Sequence, residues 1–254
     1  MTKETQGTPA QGASAEGRSA PDRRIQRRGR AWGILFAAAV ALTITGFAAD
    51  RCRRTAPGPE RVAWLKSHAP PDMVLVPAGW FWMGHDDADD ITSAGKHRVW
   101  TPSFYIDRYP VSKRQYAKFA PGYHYPKREA DYPVTGLTWS QAVAYLKSQG
   151  KVLPTEAEWE KSARGVDGRT FPWGDSAGHW LDSSVGKRSF RSVRAYPQPA
   201  SPYGTKAMCG AVWQWARDNI NGDPKVHVIR GGAAGYATGN DTTFSRGLEG
   251  AGVT

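Results

Sequence analysis

Four aspartates crowd one loop, Asp86, Asp87, Asp89 and Asp90, and three glutamates alternate through Glu156, Glu158 and Glu160. Clustered carboxylates offer hard oxygen ligands for Ca²⁺ or acid–base pairs that move protons. The aspartate run lacks the glycine and closing glutamate of a calcium-binding hand, so it reads as a solvated acidic loop. His68, His85, His97, His124, His179 and His227 are isolated in the chain, and no two have the spacing of zinc ligands. The two cysteines, Cys52 and Cys209, exclude a disulfide framework and a four-thiolate zinc site. There is no phosphate-cradling glycine loop, serine elbow or metalloprotease helix pair. Motif chemistry therefore assigns no catalytic residue and no metal site.

The elements that would position such groups are short. With 28 Gly and 18 Pro in 254 residues, long helices are not expected, and 11 Trp imply an aromatic core. Apolar Met73–Val76, the turn Pro77-Ala78-Gly79 and then Trp80–Gly84 read as a hairpin, and Phe104–Asp107 as a further strand. Ser112 with Gln115 forms a capping box for a helix through Phe119. Thr138 or Ser140 opens a second helix ending at Gly150, and Thr155 with Glu158 caps a third that runs to Arg164-Gly165. In that third helix the glutamates occupy the first turns, where the dipole favours carboxylates, so none need be catalytic. Trp159 faces the core.

Net charge is +11, but its placement matters more than its size. Residues 1–60 carry ten Lys or Arg against five acids, and an Arg run from Arg18 to Arg30 leads into the uncharged stretch Ala31–Ala49. Nineteen residues make about 28 Å of helix, enough to cross a hydrocarbon core of about 30 Å. The heavier Arg load before the stretch puts the N-terminus in the cytoplasm and the C-terminal domain outside, periplasmic or extracellular. The Arg run has no interleaved aromatics, so nucleic acid is not an expected partner. The organisation reads as a disordered basic tail (1–30), a transmembrane anchor (31–49), a Pro-rich tether (50–71) and one folded domain (72–254).

The run Gly150-Lys151-Val152-Leu153-Pro154-Thr155-Glu156-Ala157-Glu158-Trp159-Glu160-Lys161-Ser162-Ala163-Arg164-Gly165, followed by Phe171-Pro172-Trp173-Gly174-Asp175, resembles the signature of the formylglycine-generating enzyme, or sulfatase-modifying factor, family. Companion motifs stand in the family's order: Met73-Val74-Leu75-Val76-Pro77-Ala78-Gly79, Tyr109-Pro110-Val111, Tyr132-Pro133-Val134, Ser201-Pro202-Tyr203-Gly204 and Arg230-Gly231-Gly232. The resemblance covers Met73 to about Arg246. It implies an α+β fold of the C-type-lectin-like, sulfatase-modifying-factor type with little regular secondary structure, here preceded by one transmembrane helix.

The resemblance also implies what this chain has lost. The family holds copper(I) with two cysteines after the Arg-Gly-Gly motif and oxidises a substrate cysteine to formylglycine. Counted without gaps from Arg230, those positions fall on Tyr236 and Asp241, whose oxygens are poor copper(I) ligands. The family's Asp-Met-x-Gly-Asn-Val-Trp-Glu-Trp, which contributes to calcium binding, reads here Ala207-Met208-Cys209-Gly210-Ala211-Val212-Trp213-Gln214-Trp215. Copper is thus not expected and calcium would be weakened or lost. The Gly-Phe-Arg close is also missing, which leaves the final strand without its usual sequence. Arg230, Tyr236, Asp241 and Arg246 are the candidate lining of any groove that survives, with bracing of the loop through carbonyl hydrogen bonds as the competing role for both arginines.

Two functional classes follow. One is a membrane-anchored, outward-facing family member that matures or oxidises an exported protein or peptide without copper–cysteine chemistry. Relatives in sulfoxide synthesis use iron held by a histidine cluster, which the isolated histidines here do not supply, and a periplasmic relative acts in siderophore maturation. The other is a catalytically inactive lectin-like module that binds a peptide, a glycan or a partner protein.

Overall fold

A computed structural model of the chain describes residues 54–86, 95–177, 191–196, 198–232 and 242–250. The basic tail, the anchor segment, Cys52, Asp87, Asp89, Asp90, His179, Tyr236 and Asp241 lie outside the described residues. Among the described residues no helix is long and apolar enough to cross a membrane.

Helix α1 (Pro59–Ser67) starts on a proline, which suits the first helical turn because its missing N–H would have no partner there. It docks on the strands that follow: the Tyr105 hydroxyl donates to the Leu65 carbonyl at 2.9 Å. Strands β1 (Met73–Val76), β2 (Gly79–Met83), β3 (His97–Thr101) and β4 (Phe104–Asp107) come next. The sequence places a hairpin at Pro77-Ala78-Gly79, and this is where the structure differs. β1 pairs antiparallel with β4 and β2 with β3, so the chain bends at Pro77 without reversing. Pro102 breaks the returning arm between β3 and β4, opposite the first bend. A proline has no N–H for the ladder, and two facing prolines divide one long hairpin into two small sheets. Across the break the Ala78 N–H donates to the Ser103 hydroxyl at 2.8 Å. The reversal itself falls between Met83 and His97.

Both expected capping boxes form, and Thr138, not Ser140, opens the second helix, in a third box with Gln141. Ser112–Gln115 opens α2 (Lys113–Phe119), Thr138–Gln141 opens α3 (Trp139–Ser148), and Thr155–Glu158 opens α4 (Glu156–Arg164), each with both reciprocal hydrogen bonds. Strands β5 (Gln214–Ile220), β6 (Asp223–Arg230) and β7 (Arg246–Gly250) make an antiparallel sheet in that order. The final strand therefore exists without the family's closing motif. Gly247 permits it: a Cβ there would sit 2.7 Å from Ile229 Cγ1, so only glycine lets β7 lie against β6 at this register.

Helix α4 is the hub, packing on β2, β3, β5 and β6. Its Trp159 is 1% exposed and makes a core cluster with Ala163 and Met208. The indole N–H donates to Gln214 Oε1 at 3.1 Å, which satisfies the one polar atom that burial would otherwise strand. Trp173, Trp213 and Trp215 are only half-buried.

Candidate functional site

One stripe of α4 carries Glu156, Glu160 and Arg164, at i, i+4 and i+8, and all three side chains are buried. They meet two arginines from the last sheet. Arg230 contacts Glu156 at 3.0 Å and Glu160 at 2.5 Å, Arg164 contacts Glu160 at 2.7 Å, and Arg246 grips Glu156 with Nε at 2.5 Å and Nη2 at 2.7 Å. Three guanidiniums face two carboxylates, and backbone carbonyls take up further donors, while the buried Nε of Arg230 has no hydrogen-bond partner among the described residues. Arg230 donates to Thr243 and Phe244, and Arg164 to Gly84, Gly168 and Arg169. The Gly84 N–H donates to Glu160 at 2.7 Å. The space enclosed by Met83, Glu160, Arg230 and Phe244 has no room for a water molecule.

This network is an internal brace. Buried ions are tolerated only when paired and hydrogen-bonded, and these are. Of the groove candidates, the structure brings Arg230 and Arg246 together on Glu156; Tyr236 and Asp241 lie outside the described residues. Carbonyl bracing accounts for part of Arg230's partners, and the carboxylates of α4, which the sequence assigns to the helix dipole, are the rest. Gly231 fits the brace because a Cβ there would sit 3.1 Å from the Trp159 ring, at a φ of +100° that side chains rarely adopt.

A second buried charge stands beside it. Lys161, 1% exposed, donates to the carbonyls of Pro77 at 2.8 Å and Gly79 at 2.9 Å and to the Thr101 hydroxyl at 2.9 Å. The ammonium pins the bend between β1 and β2. Burial pushes its pKa down to about 8.

The motif that the resemblance links to calcium does not fit that ion. Gln214 spends its amide on Trp159 and on the Ala207 carbonyl at 3.0 Å, and Ala211 is fully buried and has no side-chain oxygen. Cys209 is buried at 1% exposure. Among the described residues no group of three His, Cys, Asp or Glu side chains converges on a common point. His227 is buried and stacked on Trp139, with ring centroids 3.9 Å apart.

On the opposite face of the β5–β6 ribbon from Arg230 lies an open cleft of about 1070 Å³. Alternation along β6 explains the division: Arg230 turns to the brace, while its neighbour Ile229 lines the cleft. The walls come from elements far apart in the chain, including Tyr105 of β4, Ala142 and Tyr145 of α3, and Val212 and Trp215 beside and within β5. Its polar groups are few. Asp107 and Lys151 pair at 2.6 Å, both about one third exposed, and Lys206 and Glu158 are half-buried. Ligand clefts commonly span about 300–1,000 Å³ and combine apolar walls with a few polar groups. This one has that character and lies just above the range. No local motif announces it, because no two adjacent elements build it alone.

A family profile described as "Sulfatase-modifying factor enzyme 1-like domain" matches residues 62–248. The chain is 29% identical to the formylglycine-generating enzyme of Bos taurus over 239 residues, 67% of this chain and 64% of that one. It is 33% identical to hercynine oxygenase of Mycolicibacterium smegmatis over 189 residues, 56% of this chain and 44% of that one. It is 32% identical to the bovine "Inactive C-alpha-formylglycine-generating enzyme 2" over 119 residues, 41% of this chain and 39% of that one. The chain thus spans less than two thirds of the length of these curated relatives. Among solved structures, Treponema denticola variable protein 1 superposes with a TM-score of 0.58 at 17% identity, covering 71% of this chain and 90% of that one. PvdO from Pseudomonas aeruginosa gives 0.55 at 22% identity, covering 71% and 89%. Both share the fold.

Proposed function

The chain belongs to the sulfatase-modifying factor enzyme 1-like family, and from that premise we propose that it is a membrane-anchored, outward-facing recognition module. Its cleft binds a peptide segment of an exported protein and contributes to that protein's maturation, without copper–cysteine chemistry. The observation that carries this reading is the contrast between the two sites. The brace around Arg230 has its charges paired internally and no room for a ligand, while the cleft of about 1070 Å³ is open and lined mainly by apolar side chains. A glycan would demand many hydrogen-bond partners on such walls, and unsatisfied hydroxyls are costly to bury; apolar peptide side chains fit without that cost. A lectin-like fold that presents a surface for binding agrees with this use. The thiol count supports the absence of copper chemistry, since the chain has Cys52 and Cys209 alone and Cys209 is buried.

The test uses the purified full chain. Peptides selected from a displayed library are labelled, and their affinities are measured by fluorescence anisotropy. Ala142→Trp, which places an indole in the cleft, should weaken them by at least about ten-fold. Selected peptides that bind Ala142→Trp as tightly as the parent protein would remove the cleft from the account.

A further inference from the structure

On the outer face of the β2–β3 sheet, Trp80 and Trp82 are each 40% exposed, although indoles of this size are normally covered. Basic groups are interleaved with them. Arg98, opposite Trp82 in the register, lies 5.3 Å from the Trp80 ring centroid and 5.9 Å from that of Trp82. Lys96 stands 5.6 Å from Trp82, and Arg54 stands 5.4 Å from Trp80. Among the described residues these three cations have no carboxylate partner. The inward face of the same strands carries Phe81 and Met83, both buried, so the exposed tryptophans are not the sheet's core side. The result is a ladder of aromatic rings and unneutralised cations on one face.

We propose that this face docks on an anionic lipid surface, with the indoles at headgroup depth and Arg54, Lys96 and Arg98 on lipid phosphates. The occupant follows from charge and from chain geometry. Indoles partition to the membrane–water interface, where one edge is apolar and the other wet, and basic side chains beside a membrane are attracted to anionic lipid. Arg54 is five residues beyond the end of the uncharged stretch Ala31–Ala49, and five residues reach at most about 17 Å when extended. Arg54, the ladder's residue nearest in sequence to that stretch, lies on Trp80. This proposal rests on the reading of that stretch as a membrane anchor, and it makes the sheet face a second contact that fixes the domain's orientation.

The experiment reconstitutes the full chain in nanodiscs of phosphatidylcholine alone or with phosphatidylglycerol, and measures amine labelling of each lysine by mass spectrometry. Lys96 should be modified about five-fold more slowly in the anionic discs, roughly the attraction of one basic side chain to such a surface, while exposed Lys127 is modified equally in both. Arg98→Glu, and separately Trp80→Ala with Trp82→Ala, should abolish the difference. Equal labelling of Lys96 in both disc types overturns the proposal. So does protection of Lys96 by an added acidic polypeptide in phosphatidylcholine discs with none from phosphatidylglycerol, which would assign the face to an acidic protein. If the chain is extracted from the discs by carbonate, the anchor reading fails, and flotation with vesicles of the two compositions then decides. Retention on phosphatidylglycerol that Arg98→Glu removes supports the lipid-docking face, and no retention overturns it.

Discussion

Arg230 and Glu160 stand 70 positions apart and meet at 2.5 Å, each side chain 1–2% exposed. The pair ties the last sheet to the hub helix, and Glu156, Arg164 and Arg246 extend it into a five-residue brace. Removing one member of a buried ion network leaves its partners charged and desolvated, which costs about 3–5 kcal/mol. Arg230→Met should therefore lower unfolding stability by that amount. Arg246→Gln, at a side chain 21% exposed to water, should cost less. Urea melts of the two variants measure this, and a loss below about 1 kcal/mol for Arg230→Met would mean that the brace carries little of the fold.

Trp159→Ala should cost about 3–5 kcal/mol, because the ring is 1% exposed and its removal leaves a cavity against Met208 and orphans Gln214 Oε1. The tryptophan count of the sequence does not separate Trp159 from Trp173, Trp213 and Trp215. The structure ranks them, with the three half-buried rings losing less than Trp159. Denaturant midpoints of the four alanine variants check the order.

Lys161 makes stability depend on pH in a defined window. Its folded pKa is about 8 and that of an unfolded lysine about 10.4, so between these values the unfolded state binds more protons. Stability should rise with pH from about 8 toward 10. Above about 10 the sign reverses, because burial raises the pKa of Tyr196 and Tyr203 and the unfolded phenols ionise first. Denaturant midpoints across this range should show the rise, and Lys161→Met should remove it. A parent protein whose stability is flat from pH 8 to 10 would contradict the buried ammonium.

What was legible in the sequence was local. Ser112 and Thr155 announce their helices because a capping box needs only four consecutive residues, while the second helix has two candidate starts, Thr138 and Ser140, until the structure selects Thr138. The hairpin was misplaced because Pro77 looks like a turn until it is set opposite Pro102, 25 positions later on the paired arm. The brace left one unused signal. Glu156, Glu160 and Arg164 share one helical stripe, and charge on a stripe that also turns toward the core demands distant partners. Their identity, Arg230 and Arg246, depends on the sheet register, which no short motif encodes. The cleft depends on walls from many elements and had no sequence signature at all.

The anchor reading predicts a topology. With the heavier arginine load before Ala31–Ala49, a phosphatase that is active only outside the cytoplasm, fused after Thr254, should be active. Activity confined to a cytoplasmic reporter at the same position would invert the orientation.

The central claim is recognition without oxidation of a thiol. The most direct test incubates the purified full chain with copper, a reductant, oxygen and a sulfatase-type Cys-x-Pro-x-Arg peptide, and follows the peptide by mass spectrometry. Copper(I) is held by soft thiolate or thioether ligands, and this chain offers no cysteine pair after Arg230-Gly231-Gly232 to supply them. The account predicts that the peptide's cysteine remains unmodified while the protein is folded and the peptide is in excess. Conversion of that cysteine to the aldehyde, dependent on the protein and repeated over many turnovers, would contradict it.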